Sequence, residues 1–284
     1  FVGLVATKIL NNTKNNLIIR DVHAAPGEYI VIRGNSLKKF FMYIYEKASF
    51  FIDSCADSRI FNHPNLLKYY CEQGVNISED IVMFNGGRIT KNAKSKDELK
   101  NLFNINTNKT ILVFTGSVSS WHNVEVLLKL QDEFDCHKDN IQIIVGGGKI
   151  PHERKSSIIN VSPLDEQGCD SLIFLADACL LPVNDNRISP GSPLKLYQYM
   201  LSSKPVITQE NVIGYSDEVL KYNAGIAVDF NETDLARQKI VEFTKNEISS
   251  VSNHLNKNKF KMGITWDDRM KELSLFILNH RKIK

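Results

Sequence analysis

A few short segments of this 284-residue chain combine residue types that could hold a charged ligand. Ser189-Pro190-Gly191-Ser192-Pro193-Leu194-Lys195 stands at the head of a helical pattern. Ser192 suits an N-cap, and Pro193 suits the first helical position, where a missing N–H costs nothing. Gly191 would let a ligand approach the backbone. A helix start presents unpaired N–H groups and the positive end of the peptide dipoles, so it favours phosphate, and Lys195 would add a point charge. The plain alternative is a capped helix with a solvated lysine. Gly146-Gly147-Gly148 closes an apolar run without forming GxGxxG. It reads either as a tight turn that leaves room for a nucleotide or as a turn alone, and Gly116-Ser117 offers the same choice. His23 follows a strand pattern, where its ring could position a hydroxyl or be a satisfied loop histidine.

Such segments act together only if one scaffold gathers them. Apolar runs alternate with longer helical patterns along the chain, which predicts βαβ architecture and parallel sheets. The predicted strands are 17–23, 58–61, 81–84, 110–115, 141–145, 157–161, 178–181, 205–208 and 225–228. The predicted helices are 37–51, 64–74, 96–102, 124–134, 165–175, 194–201, 235–244 and 267–279. In open parallel sheets ligands bind beyond the carboxyl ends of the strands, and Gly116, Gly146, Gly147 and the loop before Lys195 all fall there. The polar stretch 91–108 reads as a linker.

Composition narrows the class. A formal charge of +3 is too small to argue for nucleic acid. Cys55, Cys71, Cys136, Cys169 and Cys179 are odd in number and scattered, which predicts reduced thiols and a cytoplasmic protein. No apolar run reaches the ~18 residues of a membrane span. The predicted helix 37–51 carries Lys38, Lys39 and Lys47 beside many aromatics. An amphipathic helix packed on its own sheet is the preferred reading, and peripheral contact with an anionic membrane is the alternative. There is no HExxH, CxxC pair or DxD, and Asp267-Asp268 reads as first-turn acids. Neither a metal nor a cofactor is expected. The chain opens without Met and in mid-pattern, and is read as a fragment.

Taken in order, the segments resemble the retaining glycosyltransferases of family 4. Ile111-Leu112-Val113-Phe114-Thr115-Gly116 looks like the family's first donor-domain strand and glycine, and Ile143 to Gly148 like its "IVGDG" element. Ala176 to Pro182 is similar to "ADVxLLP", Ser192 to Met200 to "SPLKLFEYM", Lys204 to Ile207 to "GKPVI", and Ala224 to Val228 to "AGLxV". Thr265-Trp266-Asp267 matches the "sWe" before the last helix. Ala56 to Phe61 and Val82 to Gly87 resemble "aDxvi" and "viPNGv" of the acceptor domain. The resemblance implies an α/β GT-B fold with two Rossmann-like domains. Residues 1–90 would be the later part of an incomplete acceptor-side domain and 91–108 the linker. Residues 109–264 would be the donor domain, and 265–284 a helix returning to the first.

The implied activity is metal-independent transfer of a sugar, with retention, from a nucleoside diphosphate sugar. A UDP-sugar is the expected donor, and the acceptor a glycan or lipid-linked molecule in cell-surface polysaccharide assembly. The implied location is the cytoplasm, with the inner membrane face as an option. His23 falls where the family carries a histidine near the transferred sugar. Gly191, Ser192, Pro193, Leu194 and Lys195 fall near the diphosphate, with Gly116, Gly146 and Gly147 around the nucleotide.

Three departures stand against this pattern. Ser117 and His122 occupy places where the family carries Arg and Lys. Pro190 and Gln198 replace its paired glutamates, and Gln198 can meet a ribose hydroxyl only as a neutral partner. Gly116, Ser117 and Trp121 look like a variant of polysaccharide-type members. A non-catalytic binding or scaffolding relative is therefore the competing expectation. A sugar-nucleotide epimerase would need an acid–base set around the sugar that these residues do not supply.

Overall fold

A computed structural model describes residues 17–26, 36–90, 95–105, 108–118, 122–150, 157–183 and 191–283. Trp121, Ser189 and Pro190 lie outside the described residues. The chain divides into two compact units, Phe1–Asn85 with Asn186–Ser192, and Gly86–Asp185 with Pro193–Lys284. Each is built as α/β with a wholly parallel sheet.

In the first unit β1 (Ile19–Val22), α1 (Ser36–Asp53), β2 (Ser58–Phe61), α2 (Pro64–Glu72) and β3 (Ile81–Val82) follow one another, and the sheet order is β1-β2-β3. Val22 pairs with Phe61 and Phe61 with Val82, so the carboxyl ends of the three strands are level. Helix α2 starts where Pro64 fits the first turn and the His63 ring accepts the Asn65 N–H. Phe50, Phe61, Leu66 and Tyr70 form the core. The Tyr70 hydroxyl donates to Asp53, which also receives Arg20. The preferred packed reading of α1 holds only for its last turns. Ser49, Phe50 and Asp53 are buried, whereas Phe40, Phe41, Tyr43 and Phe51 are exposed.

The second unit carries α3 (Lys96–Leu102), β4 (Thr110–Gly116), α4 (Val124–Cys136), β5 (Ile141–Gly147), β6 (Ile159–Val161) and α5 (Glu166–Leu175). It continues through β7 (Ala178–Leu181), α6 (Leu194–Leu201), β8 (Val206–Gln209), α7 (Ser216–Lys221) and β9 (Gly225–Val228). Helices α8 (Thr233–Asn246), α9 (Ile248–Asn258) and α10 (Trp266–Ile283) close it. The sheet order β6-β5-β4-β7-β8-β9 is that of a doubly wound fold, whose direction of winding reverses between β4 and β7. Asp177 pins that junction, because its carboxylate accepts the Ile111 N–H and its own N–H donates to the Ile111 carbonyl, each at 2.8 Å. Helices cover both faces, so Ile111 to Thr115 and Ile141 to Gly146 are continuously buried.

Sequence patterns locate most of these elements within a residue or two. Helix α3 is bounded by a capping box between Ser95 and Glu98. Two helices lie outside the prediction. Helix α7 has six residues, and α9 carries only a thin apolar stripe, Ile248, Val251 and Leu255, among polar residues. Among the described residues, no helix is long and apolar enough to cross a membrane.

Candidate functional site

The reversal of winding between β4 and β7 directs attention to the carboxyl end of β4. Gly116 pairs there with Gly147, and Thr115 with Gly146. Gly116 has φ +135°, and a β carbon on it would collide with the Cε and Nζ of Lys195. Gly147 has φ +94° and approaches the Gly116 carbonyl, and a β carbon on Gly146 would meet Leu172. Gly116 therefore leaves the space that the Lys195 side chain fills, and Gly147 lets the two strand ends approach.

Helix α6 delivers that side chain. Tyr199 is fully buried, and its hydroxyl meets both the N–H and the Oγ1 of Thr115 at 3.1 Å. Lys195 is one turn earlier on the same face, so anchoring Tyr199 to Thr115 lays Lys195 across the neighbouring Gly116. The Lys195 ammonium donates to His122 Nε2 at 2.8 Å and stands 4.7 Å from the centre of the Phe114 ring. Burial lowers its pKa from 10.5 to about 8, against a smaller opposing effect of Cys169. His122 and Lys195, distant in sequence, thus form one cationic feature, while Ser117 contributes only the exit of β4.

The expected cap is not made. Helix α6 begins at Leu194, with Pro193 as N-cap and no capping hydrogen bond from the N-cap side chain. The Ser192 hydroxyl is used elsewhere, accepting the Asn85 N–H at 2.9 Å, and the Ser192 carbonyl accepts the Asn85 side-chain amide at 2.6 Å. The correction has a simple cause, since a hydroxyl accepting a buried backbone N–H from a distant strand end is not directed at its own helix. Gly191, buried with φ +75°, sits 3.9 Å from the Asn62 amide by its would-be β carbon.

A cavity of about 250 Å³ adjoins Lys195, with Leu194, Thr115, Cys169, Asp170 and Gln198 among its walls. Gln198 donates to Thr90 at 3.2 Å and to Asp170 at 3.3 Å. Arg88 bridges Glu166 and Asp170 in the same wall. Burial raises the Asp170 pKa despite the nearby Arg88. Arg88 and Asp170 were not singled out by the sequence reading, and no local signal marks them, because their pairing spans 82 positions.

His23 belongs to the first unit. Its Nε2 is 2.8 Å from Asp21 Oδ2, and this hydrogen bond raises the histidine pKa. Asn62, just past β2, donates to the His23 carbonyl at 3.2 Å. Among the described residues, the Oδ1 of buried Asn62 has no hydrogen-bond partner. Asp21 and Asn62 extend the predicted single histidine into a small polar group. As for metals, Glu133, His137 and Asp234 bring ligand-type atoms within 4.8 Å of one another. The Arg237 guanidinium stands 3.5 Å from that Asp234 carboxylate, a charge opposed to a cation there.

Searches of the sequence against protein-family models and curated proteins find no match. Solved structures do match. WaaG, a glycosyltransferase involved in lipopolysaccharide biosynthesis, superposes with a TM-score of 0.71 at 11% identity, over 92% of this chain and 75% of WaaG. Sucrose-phosphate synthase from Thermosynechococcus elongatus gives 0.71 at 12%, over 100% and 72%. Anabaena HepE, in complex with UDP and glucose, gives 0.69 at 11%, over 96% and 74%. The fold is GT-B. Identities this low carry the architecture, and the chemistry of this GT-B chain has to be argued from its own residues.

Proposed function

We propose that this chain is a retaining glycosyltransferase of family 4, moving a sugar from a nucleoside diphosphate sugar to a glycan or lipid-linked acceptor. The observation that carries the reading is the Lys195 ammonium, laid across Gly116 at the reversal point of the sheet beside the start of helix α6. A diphosphate there would meet an ammonium, the α6 dipole and the first-turn amides of Leu194 and Lys195. As the glycosidic bond breaks, negative charge grows on the leaving phosphate, and the same groups stabilise it. In this reading the cation comes from the protein, so transfer is metal-independent.

Gln198 and Asp170 are the proposed partners of the ribose hydroxyls. The carboxylate that Gln198 lacks stands 3.3 Å from its amide on Asp170. Gly146 and Gly147 make room for the nucleotide, and His23, with Asp21 and Asn62, orients hydroxyls of the sugar. UDP is the favoured nucleotide, in line with the UDP of the HepE complex. Cell-surface polysaccharide assembly is the proposed pathway, and the cytoplasm the proposed location. The exposed Phe40, Phe41, Tyr43 and Phe51 of α1 suit peripheral membrane contact.

The test is release of UDP from a panel of UDP-sugars with glycan and lipid-linked acceptors, alongside thermal-shift binding of UDP-, GDP- and ADP-sugars. One observation favours a second reading, a non-catalytic binding subunit. Arg88 is held by Glu166 and Asp170, leaving Lys195 as the cation of this cavity without a carboxylate contact among the described residues. Donor binding without turnover across the whole panel would establish that reading instead.

A further inference from the structure

The largest cavity described in the second unit lies at the opposite edge of its sheet. It has a volume of about 600 Å³ and opens at Thr110 and Asp177, beside the amino ends of β4 and β7. That edge is about 20 Å from Gly116, the length of seven-residue β4 at ~3.3 Å per residue. Lys96, Lys100, Lys109 and Lys204 line it, and Asp177 is the single carboxylate among its described lining residues.

The geometry accounts for most of that acid. Asp177 accepts Lys96 at 2.6 Å with one oxygen and the Ile111 N–H with the other. Lys109 reaches Asp135 at 3.5 Å. Lys204 donates to the carbonyls of Phe174 and Ala176 at 2.8 and 2.7 Å, tying its charge to the end of α5. On the opposite wall the first turn of α9 contributes Ser249, with Asn253 one turn on. No side chain caps that helix start. Burial lowers the pKa of Lys204, as expected for a cation short of counter-charge.

We infer that this cavity is a second binding site, for a small phosphate-rich anion, separate from the Lys195 region. The lysines supply charge from α3, the β4 start and the β8 start, and Ser249 and Asn253 supply neutral donors for phosphate oxygens. The volume falls within the ~300–1,000 Å³ typical of small-molecule sites. The inference does not depend on what happens at the other edge of the sheet.

Titration calorimetry of the full chain with sodium tripolyphosphate tests it. In Lys195→Met, which removes the ammonium of the proposed donor site, one saturable site is expected, weakened by added salt because the contacts are charged. Adding Lys100→Ser/Lys109→Ser to that variant should weaken binding roughly tenfold or more, a loss of about 1.4 kcal/mol. Absence of saturable binding in Lys195→Met overturns the inference, as does unchanged binding on adding Lys100→Ser/Lys109→Ser. In the Lys195→Met background, UDP and fructose 1,6-bisphosphate distinguish a nucleotide from a phosphosugar as the preferred source of phosphate. Independently of any variant, tripolyphosphate should slow acetylation of Lys100 and Lys109, read by mass spectrometry. Unchanged acetylation overturns the inference.

Discussion

His23 and Lys195 both sit at the carboxyl end of a parallel sheet, and their environments push them in opposite directions. His23 is exposed and has its own carboxylate, Asp21, whose hydrogen bond raises the histidine pKa. Lys195 is largely withdrawn from water against His122 and Phe114, and burial lowers its pKa to about 8. One cation arrives with its counter-charge and the other does not. The difference teaches which of them is poised for an anion. Placing a phosphate on His23 would mean competing with Asp21, whereas a phosphate on Lys195 would restore the charge balance that burial removed.

The largest expected effect therefore falls on Lys195. Lys195→Met should cost roughly 10- to 100-fold in UDP-sugar affinity by calorimetry, the worth of a charge-assisted hydrogen bond. It should also melt higher than the parent at pH 7, because a depressed lysine pKa means that the folded state disfavours the ammonium. Equal affinity in variant and parent would erase the contrast between the two cations. The pH dependence follows with its sign. Below about pH 8 the ammonium is present and donor affinity is full. As pH rises through about 8, affinity falls by up to about tenfold per unit, while the lysine's contribution to fold stability rises towards its ordinary value of 10.5. In Lys195→Met both trends should vanish.

How far all this can be read from the sequence depends on the range of the interactions. Strands β2, β7 and β9 and helices α3 and α6 are legible residue for residue, because short apolar runs and local caps carry their own boundaries. The glycine at 116 is legible as a turn, but its purpose is not, since it lies in a lysine that β4 meets only after folding. Ser192 looks like a cap because caps are local, yet its partner Asn85 is 107 positions away. Arg88 and Asp170 carry no local mark for the same reason. Asp21 is different. It stands two residues before His23, the spacing that puts neighbours on one face of an extended chain, so that pair was available to a sequence reading and was missed.

The glycine supporting the lysine gives a smaller effect than the lysine itself. Gly116→Ala should lower donor affinity roughly tenfold by pushing the Lys195 tip away from His122. It should also destabilise the fold by about 1–3 kcal/mol, read by urea unfolding, because φ +135° is strained for any residue with a β carbon. Combined with Lys195→Met, the affinity loss should not add, since both changes remove the same ammonium.

The smallest effect tests the other half of the comparison. Asp21→Asn leaves a side chain of the same shape that can still meet the His23 ring, without the charge that favours its protonated form. The His23 pKa should fall, followed by NMR titration of its ring protons. The sign is fixed by the raised pKa. The His23–Asp21 pair contributes stability fully below the ordinary histidine value of 6.5, and that contribution fades as pH rises through the folded-state pKa. In Asp21→Asn the pH-dependent part should disappear, while affinity for UDP, which lacks the sugar, stays at the parent value if Lys195 alone is the cation awaiting a phosphate. A parallel loss of UDP affinity would give His23 a part in holding phosphate and erase the contrast between the two cations.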